Sequence, residues 1–153
     1  MHFEGTFDTK ASKEEVWSFM MDPNSVAQCL PGLEKLEIVD ADNFNAKVRI
    51  GISFIKGIFD FKIRTFDRQT PKHVSLVAHG KGVGSTIDVE TVLDMTELEG
   101  GGTRMSWNAE AQVGGVIAGV SKDLMNRAGQ KVVNELFEGM KFRMEKSQHG
   151  DSS

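Results

Sequence analysis

Four histidines, one cysteine and 22 acidic residues are the groups with which this chain could do metal, nucleophilic or acid–base chemistry. His2, His73, His79 and His149 show no spacing that gathers them on one metal, and Cys29 has no histidine near it in sequence to take its proton. His73 and His79 share the parity of Ser75 on one alternating segment, opposite to Val74, Leu76 and Ala78, so both imidazoles belong on its solvent side. The carboxylates fall almost entirely on polar faces, where their role is solubility and cross-strand pairing. Cys29, beside Leu30-Pro31-Gly32, reads as a small buried hydrophobe. Gly80-Lys81-Gly82-Val83-Gly84 has the glycines of a phosphate loop but neither its Lys-Ser/Thr ending nor a following helix, so it reads as a hairpin turn. No catalytic residue, metal ligand or cofactor is expected.

The bulk properties narrow the partners. A formal net charge of -4, with both signs interleaved along every segment, leaves no basic stripe to neutralise phosphates, which argues against nucleic acid. One cysteine cannot close an internal disulfide, and no apolar run approaches the roughly 18 residues of a membrane span. The chain passes from Met1 straight into an alternating segment without the features of a secretory signal, so a soluble cytoplasmic protein is expected. Its 153 residues suit a single domain, assigned to residues 1–146, with 147–153 as a disordered polar tail.

The elements that must position any site follow from periodicity. His2 to Asp8 alternates as a strand. Ser12-Lys13-Glu14-Glu15 is a capping box that predicts a helix over about Lys13 to Met21, and Asp22-Pro23 starts a second short helix that runs through Cys29 to the stop at Leu30-Pro31-Gly32. From Leu33 the period is two, clearest in Phe44, Ala46, Val48 and Ile50 and again in Phe59, Phe61 and Ile63. It recurs from Ile87 to Met95 and from Met105 to Val113, and short turns between such strands imply an antiparallel meander. A helical period over about Val116 to Met144 predicts a helix about 40 Å long, enough to cross the whole sheet. The fold class expected is α+β: a curved antiparallel sheet of about seven strands around one long C-terminal helix, which a single helix cannot fill, so that large side chains or a cavity must occupy the interior.

Successive turns of a meander alternate between its ends, and the two sets differ in chemistry. Asp40 to Asn43, Asp67 to Lys72 and Glu97 to Gly102 are polar; Ser53 to Gly57, Gly80 to Gly84 and Val113 to Ile117 are apolar and glycine-rich. The second end is the expected mouth, with Phe54, Ile55, Gly82, Gly84, Gly114 and Gly115 as a gate able to admit a greasy ligand.

Val16-Trp17, the run from Asp22-Pro23 to Cys29-Leu30-Pro31-Gly32, Gly102-Thr103-Arg104-Met105 and Ala111-Gln112-Val113-Gly114-Gly115 together resemble the carbon monoxide dehydrogenase G-subunit family, within the START-like helix-grip (SRPBCC) superfamily, over about Met1 to Lys146. The resemblance implies a helix-grip cavity, a lipid-like or quinone-like ligand and an accessory role for a molybdenum hydroxylase. The function expected is therefore non-catalytic carriage of a hydrophobic small molecule, with transient contact at the inner face of the membrane and a homodimer both left open. A cyclase-like or hydrolase-like enzyme and a ligand-free assembly factor are the alternatives. Inward parity nominates Phe59, Phe61, Ile63, Leu76, Met105, Trp107, Met125, Val133, Leu136 and Phe137 as the lining.

Overall fold

In the computed structural model, which describes residues 1–52 and 55–151, the alternating segments become β1 (His2–Thr9), β2 (Leu33–Ile38), β3 (Asn43–Ile52), β4 (Ile55–Gln69), β5 (His73–Gly82), β6 (Ser85–Glu97) and β7 (Thr103–Gly115). They form one antiparallel sheet in the order β1-β7-β6-β5-β4-β3-β2. β2 to β7 follow one another as a meander, and β1 closes the far side by pairing His2 with Glu110 through to Thr9 with Thr103. The seven strands, two short helices and long helix agree with the fold expected from periodicity.

Helix α1 (Lys13–Met20) starts as the capping box requires: the Glu15 amide donates to Ser12 Oγ at 3.2 Å and the Ser12 amide donates to Glu15 Oε1 at 3.3 Å. Helix α2 (Pro23–Ala27) is capped by Asp22, with Pro23 in the first turn, where its missing N–H costs nothing. It ends two residues before the expected Cys29. There the amides of Cys29 and Leu30 reach only three residues back, to the carbonyls of Val26 and Ala27, as the chain tightens ahead of Pro31.

The long helix corrects the expectation at both ends. Val116–Gly119 forms a separate 3-10 turn, Val120 is extended, and α3 runs over Lys122–Asp151. Two local causes set this start. Gly115 has a positive φ of 76°, which turns the chain away from β7, and Ser121 Oγ accepts the Leu124 amide at 3.3 Å as a fresh cap. The backbone of α3 continues through Ser147 to Asp151, where a polar tail was expected.

Register sorts the side chains into two faces. Phe3, Phe7, Phe44, Ala46, Val48, Phe59, Phe61, Ile63, Leu76, Ala78, Val89, Leu93, Met105 and Trp107 share the inner face, towards the helices. The buried residues gather in three clusters, bridged by Val133 and Met1. One joins α1, the C-terminal half of α3 and the polar-turn end of the sheet through Val16, Met20, Leu93, Met95, Met105, Trp107, Phe137 and Met140. A second sits at the glycine-rich end around Phe59, Ile117 and Met125, and a third joins Phe3 to Ala109 and Ala111.

Candidate functional site

Across its middle the inner face carries small or half-buried side chains, of which Ala109 and Ala111 belong to the third cluster. Ala78 faces Val89, which faces Ala111; Leu76 faces Thr91, which faces Ala109. α3 comes closest to β1, because Gly129 lets the Phe3 ring approach: a Cβ at that glycine would stand 2.5 Å from Phe3 Cζ. The side chains of α3 also reach the middle of the sheet, Met125 clustering with Phe59 of β4, and Phe137 and Met140 with Val74 of β5 and Leu93 of β6. Phe61, Ile63, Leu76, Ala78, Val133 and Leu136 are half-buried, although all but the two helical residues point inward by register.

The ten nominated lining residues divide between the two environments. Phe59, Met105, Trp107, Met125 and Phe137 are buried within the packed clusters. Phe61, Ile63, Leu76, Val133 and Leu136 are half-buried, with Leu76, Val133 and Leu136 packed against the first cluster and Phe61 against the second. The Phe61 ring lies across Gly80, where a Cβ would meet Phe61 Cε1 at 2.4 Å, so this glycine holds the aromatic flat against the sheet. Parity identified the face; it carried no information on depth.

The glycine-rich turns do converge. Gly82 pairs with Ser85 and Ser85 with Gly115, while a Cβ on Gly57 would sit 3.0 Å from the Val83 side chain and one on Gly84 3.2 Å from Val116. Val83 and Gly84 form a two-residue hairpin turn with φ of 50° and 68°, a conformation that favours Asn and Gly and strains a β-branched residue. Val83 and Val116 are 52% and 73% exposed, so this end presents apolar side chains to the outside. Phe54 and the side chain of Ile55 lie outside the described residues. Gly114 stands at the end of β7 against Thr86, where a Cβ would meet Thr86 Oγ1 at 2.6 Å.

Ionisable groups occupy the outer face. His79 pairs with Asp88, His2 with Glu4 and Glu110, and His73 with Asp94 at 2.7 Å and Asp67 at 3.2 Å. The hydrogen bond from Asp94 raises the His73 imidazole above its usual range, against a smaller opposing effect of burial. A groove of about 780 Å³ runs over this face, lined among others by Lys62, Arg64, His79, Asp88, Glu90 and Glu110. Phe44, Ile63, Val77, Ala78 and Val89 line it as well, so charged and apolar groups meet there. The buried polar side chains among the described residues are four hydroxyls, Thr9, Ser75, Ser85 and Thr103. Three of these serve the backbone: Thr9 Oγ1 accepts the Ala11 amide at 3.3 Å, Thr103 donates to the Ala11 carbonyl at 2.9 Å, and Ser85 Oγ accepts the Ile117 amide at 3.1 Å. Among the described residues no group of three or more His, Cys, Asp or Glu could hold a metal ion. Cys29 is buried, its thiol pushed up by that burial and donating weakly to the Ser25 carbonyl at 3.4 Å. No helix of the described residues is long and apolar enough to cross a membrane.

This architecture is a START-like fold. A START superfamily protein from Mycobacterium smegmatis shares it with a TM-score of 0.71 at 14% identity, over 95% of this chain and 97% of that one. A conserved protein from Geobacillus kaustophilus matches more tightly, with a TM-score of 0.89 at 28% identity over 96% of this chain and 97% of its own. A protein from Thermus thermophilus superposes at 0.72 with 16% identity, over 96% and 99% of the two chains. The family model described as the carbon monoxide dehydrogenase G-subunit (CoxG) matches residues 5–145, and the chain belongs to that family. No curated protein sequence matches it.

Proposed function

We propose that this protein is a non-catalytic carrier, holding a lipid-like or quinone-like molecule between sheet and helix and serving a carbon monoxide dehydrogenase or a related molybdenum hydroxylase. The observation that carries the reading is the half-exposed stretch of Phe61, Ile63, Leu76, Val133 and Leu136 inside an otherwise packed interior. Apolar surface left in reach of water forgoes about 25 cal/mol for each Å² that a ligand could cover. Covering about 400 Å² of such a ligand is worth roughly 10 kcal/mol before binding costs of about 4–15 kcal/mol, which suits exchange better than storage. The family description supports this choice of partner, since it names a component of carbon monoxide dehydrogenase. The exposed Val83 and Val116 support loading at the glycine-rich end, from a membrane surface or from the partner enzyme.

The decisive experiment extracts the purified protein with organic solvent and identifies what is released by mass spectrometry, alongside uptake of a decyl-benzoquinone by the extracted protein. A stoichiometric isoprenoid or lipid, or saturable uptake of the quinone, is the expected result. Nothing released and no uptake would leave an assembly factor and end the carrier reading.

A further inference from the structure

The indole of Trp107 carries the one buried side-chain nitrogen or oxygen among the described residues that has no hydrogen-bond partner. Trp107 is 7% exposed, and a donor buried without a partner costs about 1–3 kcal/mol, which native interiors almost always avoid by supplying an acceptor. The ring cannot turn to find one. Its six-membered edge lies over Gly5, where a Cβ would stand 2.3 Å from Trp107 Cζ2, and its plane stacks on Phe137 with centroids 3.8 Å apart and an interplanar angle of 14°. Thus a glycine on one strand and an aromatic on α3 fix the direction of an N–H that nothing in the described protein accepts.

Trp107 belongs to the first packed cluster, and half-buried side chains pack against that cluster. Phe7, which faces Met105 on the neighbouring strand, and Val133 and Leu136 on α3 are half-buried, as is Thr91 on the next strand. We propose that Trp107 Nε1–H donates to an oxygen acceptor on the bound molecule, so that the ligand is an apolar body carrying a carbonyl or ether oxygen at the end that enters first. A pure hydrocarbon offers nothing to this donor. Gly115 lies eight residues further along β7, roughly 27 Å at about 3.4 Å per residue, so a ligand anchored at Trp107 extends its apolar tail towards the glycine-rich end. This assignment rests on the carrier reading and adds to it the chemistry and the orientation of the cargo.

The test compares two probes with the same tail, a decyl-benzoquinone and decylbenzene, titrated calorimetrically into the wild-type chain and into Trp107→Phe, which keeps a ring on Phe137 and removes the donor. The substitution is expected to weaken the quinone about three- to tenfold and to leave decylbenzene within about twofold. Equal loss for both probes, or no loss for either, overturns the donor and leaves carriage standing. Failure of the wild type to bind either probe overturns both. A measurement on the wild type alone guards against a misfolded variant: in a 1H–15N spectrum the indole N–H of Trp107 should move when the quinone binds and stay in place with decylbenzene, relative to Trp17. An indole N–H that stays in place with the quinone bound overturns the proposal.

Discussion

Val83 shows how much one side chain can disclose. A φ of 50° places a β-branched residue in the left-handed region, at a cost of about 1–2 kcal/mol that Asn or Gly would avoid. Val83→Asn is therefore expected to stabilise the protein by about 1 kcal/mol, read as a higher urea midpoint. If the apolar tip serves loading, the same variant takes up quinone from vesicles more slowly; unchanged uptake would confine Val83 to its turn. His73 makes a prediction with a definite sign. Its folded-state pKa is raised by Asp94 and, less strongly, by Asp67, so its contribution to stability is fully present below the ordinary imidazole value near 6.5 and is lost as pH rises through the raised one. His73→Gln should accordingly lower the urea midpoint more at pH 5.5 than at pH 8.5, and an equal loss at both would mean that the charge on the ring does not matter. The half of this site that sequence could reach was parity: His73 and His79 were expected outside and are found paired with acids there. The orphaned Trp107 N–H was out of reach, because whether a donor meets an acceptor depends on rings and strands far apart in the chain.

At the scale of elements, α3 makes its closest backbone approach to β1 and reaches the middle of the sheet only through side chains such as Met125 and Phe137. Ala78 tests this directly. In a filled core, adding a large ring costs about 1–3 kcal/mol, but Ala78 is half-buried on the inner face, so Ala78→Phe should change stability by less than about 1 kcal/mol while abolishing uptake of a decyl-benzoquinone. A large loss of stability would mean that the space is already occupied by protein. The strands were legible because alternation is a local signal repeated in each segment, and the capping box of α1 fixed its start within four residues of chain. The start of α3 was misread for an equally local reason. Val116 and Ile117 continue the apolar spacing of the helix beyond, while the features that end β7 and begin α3, the positive φ of Gly115 and the cap at Ser121, interrupt that spacing without altering it. Depth within the inner face was not legible, since Phe59 and Phe61 have the same type and parity and differ only in what lies over them.

The whole molecule is one sheet gripping one long helix, and ligand binding should show in its overall stability. A ligand present at about 100 times its Kd adds about 2.7 kcal/mol, which for a domain of this size raises Tm by roughly 5–10 °C. Thermal unfolding of extracted protein with and without the quinone probe checks this, and an unmoved Tm at saturating probe would contradict binding to the folded state. The closure of the sheet by β1 carries one more consequence, for biosynthesis. Each of the strands from β3 onwards meets a partner that has just left the ribosome, but the strand that emerges first must wait for a neighbour 108 residues later, as the contact of His2 with Glu110 records. Until β7 is made, Phe3 and Phe7 have no place to dock, so the nascent chain carries two uncovered aromatics and a hungry edge through most of its translation, and chaperones that recognise such stretches would find their opportunity there.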